Sequence, residues 1–351
     1  MTGVRQWMAP GCVNLLGGHL DDDGGPLLPI AIDRHLTLKA RLRDDDAVRV
    51  WTTLGGRQTA EFTVATRPGD VTGWAECVAG TVSALVDAGH RLRGADLVID
   101  GDLPATAGLS ASSAVESVVV LALNGLLELG LDHQALAALV GGTTEHLAIL
   151  NGVEGQALFI DTSKEPVGVE PVDADWSSAG LSLVVIAAGR DSADLRSAAR
   201  SDECRKAADA LGLDRLAAAG PDAVFKLDDD VLKARTRHVI TETARARGAV
   251  RALRTGNWTQ FGSMLTASHA SMRDDFDVSR MELDIAVEAA LESGALGARM
   301  TGFGGSVIAL IETAKLSALA ERVTGRFSYH EFATPTLFPV AAAAGAREVT
   351  P

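Results

Sequence analysis

The stretch from Asp96 to about residue 128 constrains this chain most. A short strand, Asp96-Leu-Val-Ile-Asp100, enters a glycine- and serine-containing turn and continues directly into a long apolar helix over about 111–128. Small residues in such a turn let the backbone approach a ligand closely, and the unpaired amides at the helix start favour phosphate. The same turn also suits a plain strand-to-helix connection with serine caps. It is not a Walker loop, because no Gly-Lys-Ser/Thr triplet occurs.

The surrounding pattern is that of an α+β chain. Leu36–Arg43 alternates apolar and polar residues as a half-buried strand does, and Ala47–Trp51 and Glu61–Ala65 read alike, with Gly55-Gly56 as the turn between them. Residues 71–90 switch to helical spacing, with Trp74, Val78, Val82, Leu85 and Val86 on one face. A further helix starts near Asp132, an N-cap, and carries Leu136, Leu139, Val140 and Leu147. Leu181–Ala187 is a buried strand, and residues 192–255 are helical and charged with a polar connection around 212–230. Ser306–Ile311 is expected as the final strand. A composition break near 162–180 divides the chain into two lobes, 1–175 and 176–351.

Composition excludes several classes. The 351 residues carry 32 Lys+Arg against 46 Asp+Glu, a net charge of −14, which argues against nucleic acid or an anionic membrane as the main partner. At 47% hydrophobic and 22% charged the chain has enough apolar surface to fold, so disorder is excluded. No charge-free apolar stretch is long enough to span a bilayer, and the first residues lack a secretory pattern. Three cysteines, Cys12, Cys77 and Cys204, lack metal spacing and read as reduced thiols in a cytoplasmic protein.

Three segments carry a resemblance. Ala9–Asp33, which begins Ala9-Pro-Gly-Cys-Val-Asn-Leu-Leu-Gly-Gly-His19, is similar to the galactokinase signature PGRVNLIGEHTDYNGG. Gly101–Glu116 resembles the second motif, PxGxGLSSSA, and Gly297–Ser306 the third, GARMTGAGFGGC. Trp74–Gly80 and Ser268–Asp284 resemble two further segments of the same branch, in the same order along the chain. The family is the GHMP kinases. The resemblance implies a two-lobed fold whose N-terminal domain, 1–175, holds the phosphate loop and whose C-terminal domain, 176–351, closes a cleft. It implies transfer of the γ-phosphate of ATP, with Mg²⁺, to a hydroxyl of a small sugar or cyclitol, the anomeric hydroxyl in galactokinases, by a monomer or weak dimer. It further implies that Gly108, Leu109, Ser110, Ala111, Ser112 and Ser113 wrap ATP with Trp74 near the adenine, that Ser112 and Glu145 hold the metal, and that His19 and Asp21 face the sugar.

Departures from the pattern fall on the acceptor side. Cys12 stands where the signature has arginine, and Gly18 where it has a sugar-binding glutamate. The GIMDQ segment that carries the family's catalytic aspartate has no counterpart after Glu145. The arginine and aspartate are lost together, which avoids leaving one buried charge uncompensated. Glu154, in the shortened connection, and Asp21 are the candidates to replace the aspartate, with Asp161 considered beside them. Asp22 and Asp23 read as a solvated turn, and Cys12 as a packed small residue. Two functional readings follow: a sugar kinase with an altered acceptor site, or a nucleotide- or sugar-binding sensor that has lost turnover.

Overall fold

The computed structural model describes residues 3–104, 107–189, 194–302 and 305–349. Ala105, Thr106, Phe303 and Gly304, which belong to the second and third motifs, lie outside the described residues. The first half contains β1 (Arg5–Asn14), β2 (Pro26–Leu27), β3 (Pro29–Leu42), β4 (Ala47–Thr52) and β5 (Gln58–Thr63). Then come α1 (Glu76–Asp87), β6 (Ala95–Gly101), α2 (Ala111–Leu126), α3 (His133–Leu139), α4 (Thr144–Asn151), β7 (Gln156–Asp161) and β8 (Gly168–Asp173). The second half contains β9 (Leu181–Ala187), α5 (Asp194–Leu211), α6 (Asp230–Arg254), α7 (Trp258–Asp274) and α8 (Met281–Glu292). It ends with β10 (Gly297–Thr301), β11 (Ser306–Glu312), α9 (Leu316–Tyr329), β12 (Thr336–Val340) and β13 (Arg347–Val349).

Three sheets result, with strand orders β13-β1-β3-β6-β4-β5, β10-β11-β9-β12 and β2-β7-β8. In β3 the expected alternation holds: Leu36, Leu38 and Ala40 are fully buried while Lys39 and Arg41 point outward. α2 lies on that inner face with Val118, Val119, Ala122 and Leu123 buried beneath it. Each valine and leucine among these contributes about 1.5–3 kcal/mol through the water it leaves. In the second lobe α7 rests directly on β10, because Gly297 and Gly262 meet; a Cβ on Gly297 would stand 1.8 Å from the Gly262 carbonyl oxygen.

Three expectations are revised. The helix expected to run from Asp132 past Leu147 is two helices: Gly141 and Gly142 both take positive φ (110° and 66°), and Thr143 caps a new helix. Ser306–Ile311 is not the last strand, because β12 and β13 follow it; β12 is an edge strand, which tolerates its Pro339. β13 also returns to pair with β1, so the last strand of the chain belongs to the sheet of the first lobe. Among the described residues no helix is long and apolar enough to cross a membrane.

Candidate active site

The three glycine-containing motifs converge. The Cys12 amide donates to the Leu109 carbonyl at 3.1 Å, which ties the turn before α2 to β1. From the other side Ser306 Oγ donates to the Ala107 carbonyl at 2.5 Å. Gly108 (φ 61°) packs against Gly305, and a Cβ on Gly302 would meet the Gly108 carbonyl oxygen at 2.9 Å. Ser110 is left-handed (φ 59°) and its side chain makes no cap, so it leaves the first amides of α2 to be satisfied by other groups. A helix of 16 residues whose start carries no side-chain cap has the electrostatics to attract an anion.

Motif one forms the floor. Gly17 (φ 87°) and His19 (φ 59°) turn the chain sharply, and the amides of Gly17 and Gly18 donate to Glu242 Oε1 at 2.9 and 3.2 Å. Glu242, fully buried on α6, also accepts from Ser268 Oγ at 2.7 Å and pairs with Arg245 at 2.6 Å and Arg299 at 3.6 Å. Burial alone would raise its carboxyl, but the Arg299 and Arg245 charges bring it down to about 2. Burial pushes Arg299 down to about 10, against the pull of Glu242. His238 Nε2 donates to the Gly18 carbonyl at 3.1 Å, and burial holds the ring neutral by lowering its pKa. Phe276 stacks on His19, with centroids 5.0 Å apart, and meets His238 at a tilt, with centroids 4.4 Å apart. Burial lowers His19 as well, to about 3, so the floor imidazoles are neutral.

The wall is built from the start of α4. Thr143 accepts from the His146 amide and lies 2.6 Å from His146 Nδ1, while His146 Nε2 meets Glu116 of α2 at 2.7 Å. On that fixed first turn, Glu145 Oε2 accepts from Ser113 Oγ at 2.8 Å, and the Thr144 hydroxyl donates to Asp21 Oδ1. Asp21 is an exposed residue that borders the cleft. Lost solvation first, then the Glu145 charge, holds its carboxyl above the usual range, partly offset by Thr144. Between wall and floor lies a cleft of about 530 Å³ whose lining includes Cys12, Asn14, Gly18, His19, Asp21, Ser110, Glu145 and Arg299.

The structure thus brings Gly108, Ser110, His19, Asp21 and Glu145 to one cleft. Ser113, not Ser112, is the serine bonded to Glu145; Ser112 is exposed on the first turn of α2. Leu109 is buried beneath the turn and Ala111 opens α2. Trp74 is half-buried against the first-lobe core and does not border this cleft. Glu154 is exposed on the turn between α4 and β7, outside the lining, and Asp161 is occupied by Ser163 at 2.6 Å. Asp22 is exposed and takes a bond from Ser201, whereas Asp23 is buried, its carboxyl raised by burial to about 6, so only the first of the pair is a solvated turn residue. Cys12 is buried, and burial followed by Glu145 and Asp21 pushes its thiol far up, which makes it inert.

Sequence reasoning missed Arg299, Glu242 and His238. A signal was present: Arg235, His238, Glu242 and Arg245 recur at spacings of three and four, so polar residues occupy the face of α6 that packs inward.

Two lobes, a bare helix start facing a sugar-sized cleft and a motif-one floor define the GHMP kinase class. Residues 76–157 match the GHMP kinase N-terminal domain, 249–328 the C-terminal domain, and 3–42 the galactokinase galactose-binding signature. Galactokinase of Streptomyces coelicolor is 36% identical over 98% of this chain and 94% of its own, and that of Mycobacterium bovis 35% over 97% and 98%. Lactococcus lactis galactokinase complexed with galactose superposes with a TM-score of 0.88 at 29% identity, covering 99% of this chain and 95% of the other. Methanococcus jannaschii mevalonate kinase, at 16% identity and a TM-score of 0.67 over 97% and 99% of the two chains, shares the fold. The chain belongs to the galactokinase branch of the GHMP kinase family.

Proposed function

We propose that the chain transfers the γ-phosphoryl group of ATP to a hydroxyl of a small sugar, the anomeric hydroxyl of a galactose-type ring. The observation that carries this is the juxtaposition of the uncapped α2 start with Glu145 and Asp21 across one sugar-sized cleft. Triphosphate oxygens would lie on the amides from Gly108 to Ala111, with the hydroxyls of Ser110 and Ser112 beside them. Among the described residues no cluster of three His, Cys, Asp or Glu donors occurs, so these residues offer no all-protein metal cage. That suits Mg²⁺, which keeps waters and phosphate oxygens and takes only one or two carboxylates. Glu145, with Ser113 or Ser112, would hold it. Bound there, Mg²⁺ neutralises charge on the phosphate oxygens.

Asp21 and His19 orient the sugar, and Asp21 is the carboxylate placed to accept an acceptor hydroxyl now that Glu154 lies outside the cleft. Positioning and electrostatics carry most of phosphoryl transfer, so the loss of the family's aspartate lowers the rate without removing the activity. The sensor reading draws no support from relatives that are named as kinases. The test is Mg²⁺-dependent ADP release against a panel of free sugars, sugar acids and cyclitols: turnover of at least one is expected, and none with any acceptor defeats the reading.

A further inference from the structure

Gly18 stands where the galactokinase signature places a glutamate, and the structure shows what occupies that corner instead. A Cβ built on Gly18 would meet Arg299 Nη2 at 2.6 Å and the Met272 sulfur at 3.1 Å, so the bare glycine looks directly onto a guanidinium. Arg299 is 1% exposed, and both it and Gly18 border the cleft. Its Nε donates to the Met300 carbonyl and its Nη1 to the Leu15 carbonyl, each at 2.8 Å. Nη2 has the thioether of Met272 at 3.3 Å, a weak acceptor.

The local charge is unbalanced. Two guanidinium groups, Arg245 and Arg299, meet one carboxylate, Glu242, and that carboxylate is also committed to two amides and the Ser268 hydroxyl. The flanking His19 and His238 are neutral and cancel nothing. A buried cation short of negative charge is costly, and an arginine fork is the group best matched to a carboxylate.

We propose that the Gly18–Arg299 corner seats a carboxylate carried by the acceptor itself, so that the preferred sugar is a hexuronate and not a neutral hexose. The substrate then supplies, from the cleft that Gly18 and Arg299 both border, the negative charge that the signature glutamate would bring. The hydroxyls of the same ring face Asp21 on the opposite wall. This deepens the sugar-kinase reading and rests on it for the position of the sugar.

The test is calorimetric titration of the full chain, with Mg²⁺ and a non-hydrolysable ATP analogue, using galacturonate, its methyl ester and galactose. Galacturonate is expected to bind about ten-fold or more tightly than either neutral ligand, within the range measured for a desolvated charge pair. Gly18→Glu, which brings its own carboxylate beside Arg299 once the guanidinium end has given way by the few tenths of an ångström that its Cβ demands, should reverse the order. If Gly18→Glu fails to fold, the acid-against-ester comparison on the unaltered protein decides alone. Equal affinity for acid and ester, tighter binding of galactose, or no binding of galacturonate overturns the proposal. ADP release in parallel separates the two readings. Galactose turnover without galacturonate preference leaves the kinase and removes the uronate; galacturonate binding without turnover of any sugar does the reverse.

Discussion

The two sides of the cleft have been treated differently. On the side proposed for the phosphates, motif two, β1 and motif three are mutually clamped through Cys12–Leu109 and Ser306–Ala107, and the start of α2 carries no side-chain cap. On the acceptor side an arginine and a glutamate of the signature are replaced by Cys12 and Gly18, and a loop has been shortened. Backbone amides recognise any nucleoside triphosphate and need no particular side chain. Recognition of a sugar depends on individual side chains, so it can be rewritten one residue at a time while the nucleotide site stands.

If that division holds, the largest effect belongs to Glu145, the residue shared by both sides. Glu145→Gln should lower kcat by about 100-fold, the upper end of the range when a group that supports a metal site is lost, while protection of the fold by ATP without metal persists. An equal loss of nucleotide protection would show that the two sides are not separable. The next effect is on stability. Glu242→Ala leaves Arg245 and Arg299 facing each other without their shared carboxylate, and unfolding in denaturant should show a loss of about 3–5 kcal/mol. Glu242 titrates near 2 in the fold against its usual 4.5. Its contribution is therefore complete above about pH 4.5 and disappears as pH falls toward 2, so the deficit of the variant should shrink across that window.

A smaller, acceptor-side effect concerns pH. Asp21 must be ionised to accept sugar hydroxyls, and its carboxyl is held above the usual range. KM for the sugar should accordingly rise as pH falls, on a limb that begins at higher pH than an ordinary carboxylate would give. Asp21→Asn should flatten that limb while KM for ATP stays level across it. A limb unchanged in Asp21→Asn would assign the titration to another group.

That motif two leads from a strand through a turn into an apolar helix was legible in the sequence, because glycine, serine and apolar spacing are local signals. The strand alternation at Leu36–Arg43 and the start of a helix after Asp132 were legible for the same reason: period and caps are local. What was not legible depended on distant contacts. Gly141-Gly142 breaks a helix that apolar spacing alone would continue. The return of β13 to β1 joins residues more than 300 positions apart. Ser113 rather than Ser112 turns inward to Glu145 because α2 rolls that side toward α4, a rotation that a run of small residues does not encode. Arg299 lay in plain view within motif three, but only the fold places it against Gly18.

The smallest expected effect tests how the wall is held. Thr143 closes the first turn of α4 through the His146 amide and sits 2.6 Å from His146 Nδ1, and His146 in turn meets Glu116 on α2. This chain of contacts fixes the start of α4 to the helix that carries the phosphate loop, one residue from Glu145. Thr143→Ala removes the cap, which typically costs about 1 kcal/mol, so the midpoint of denaturation should fall slightly with an unchanged slope. Because Glu145 rides on the turn that loosens, kcat should fall as well, by less than in Glu145→Gln, with KM for ATP unaltered. Thr143→Ser keeps the hydroxyl and should restore both quantities. A stability loss without any change in kcat would mean that Ser113 alone positions Glu145, and that the cap serves only the helix.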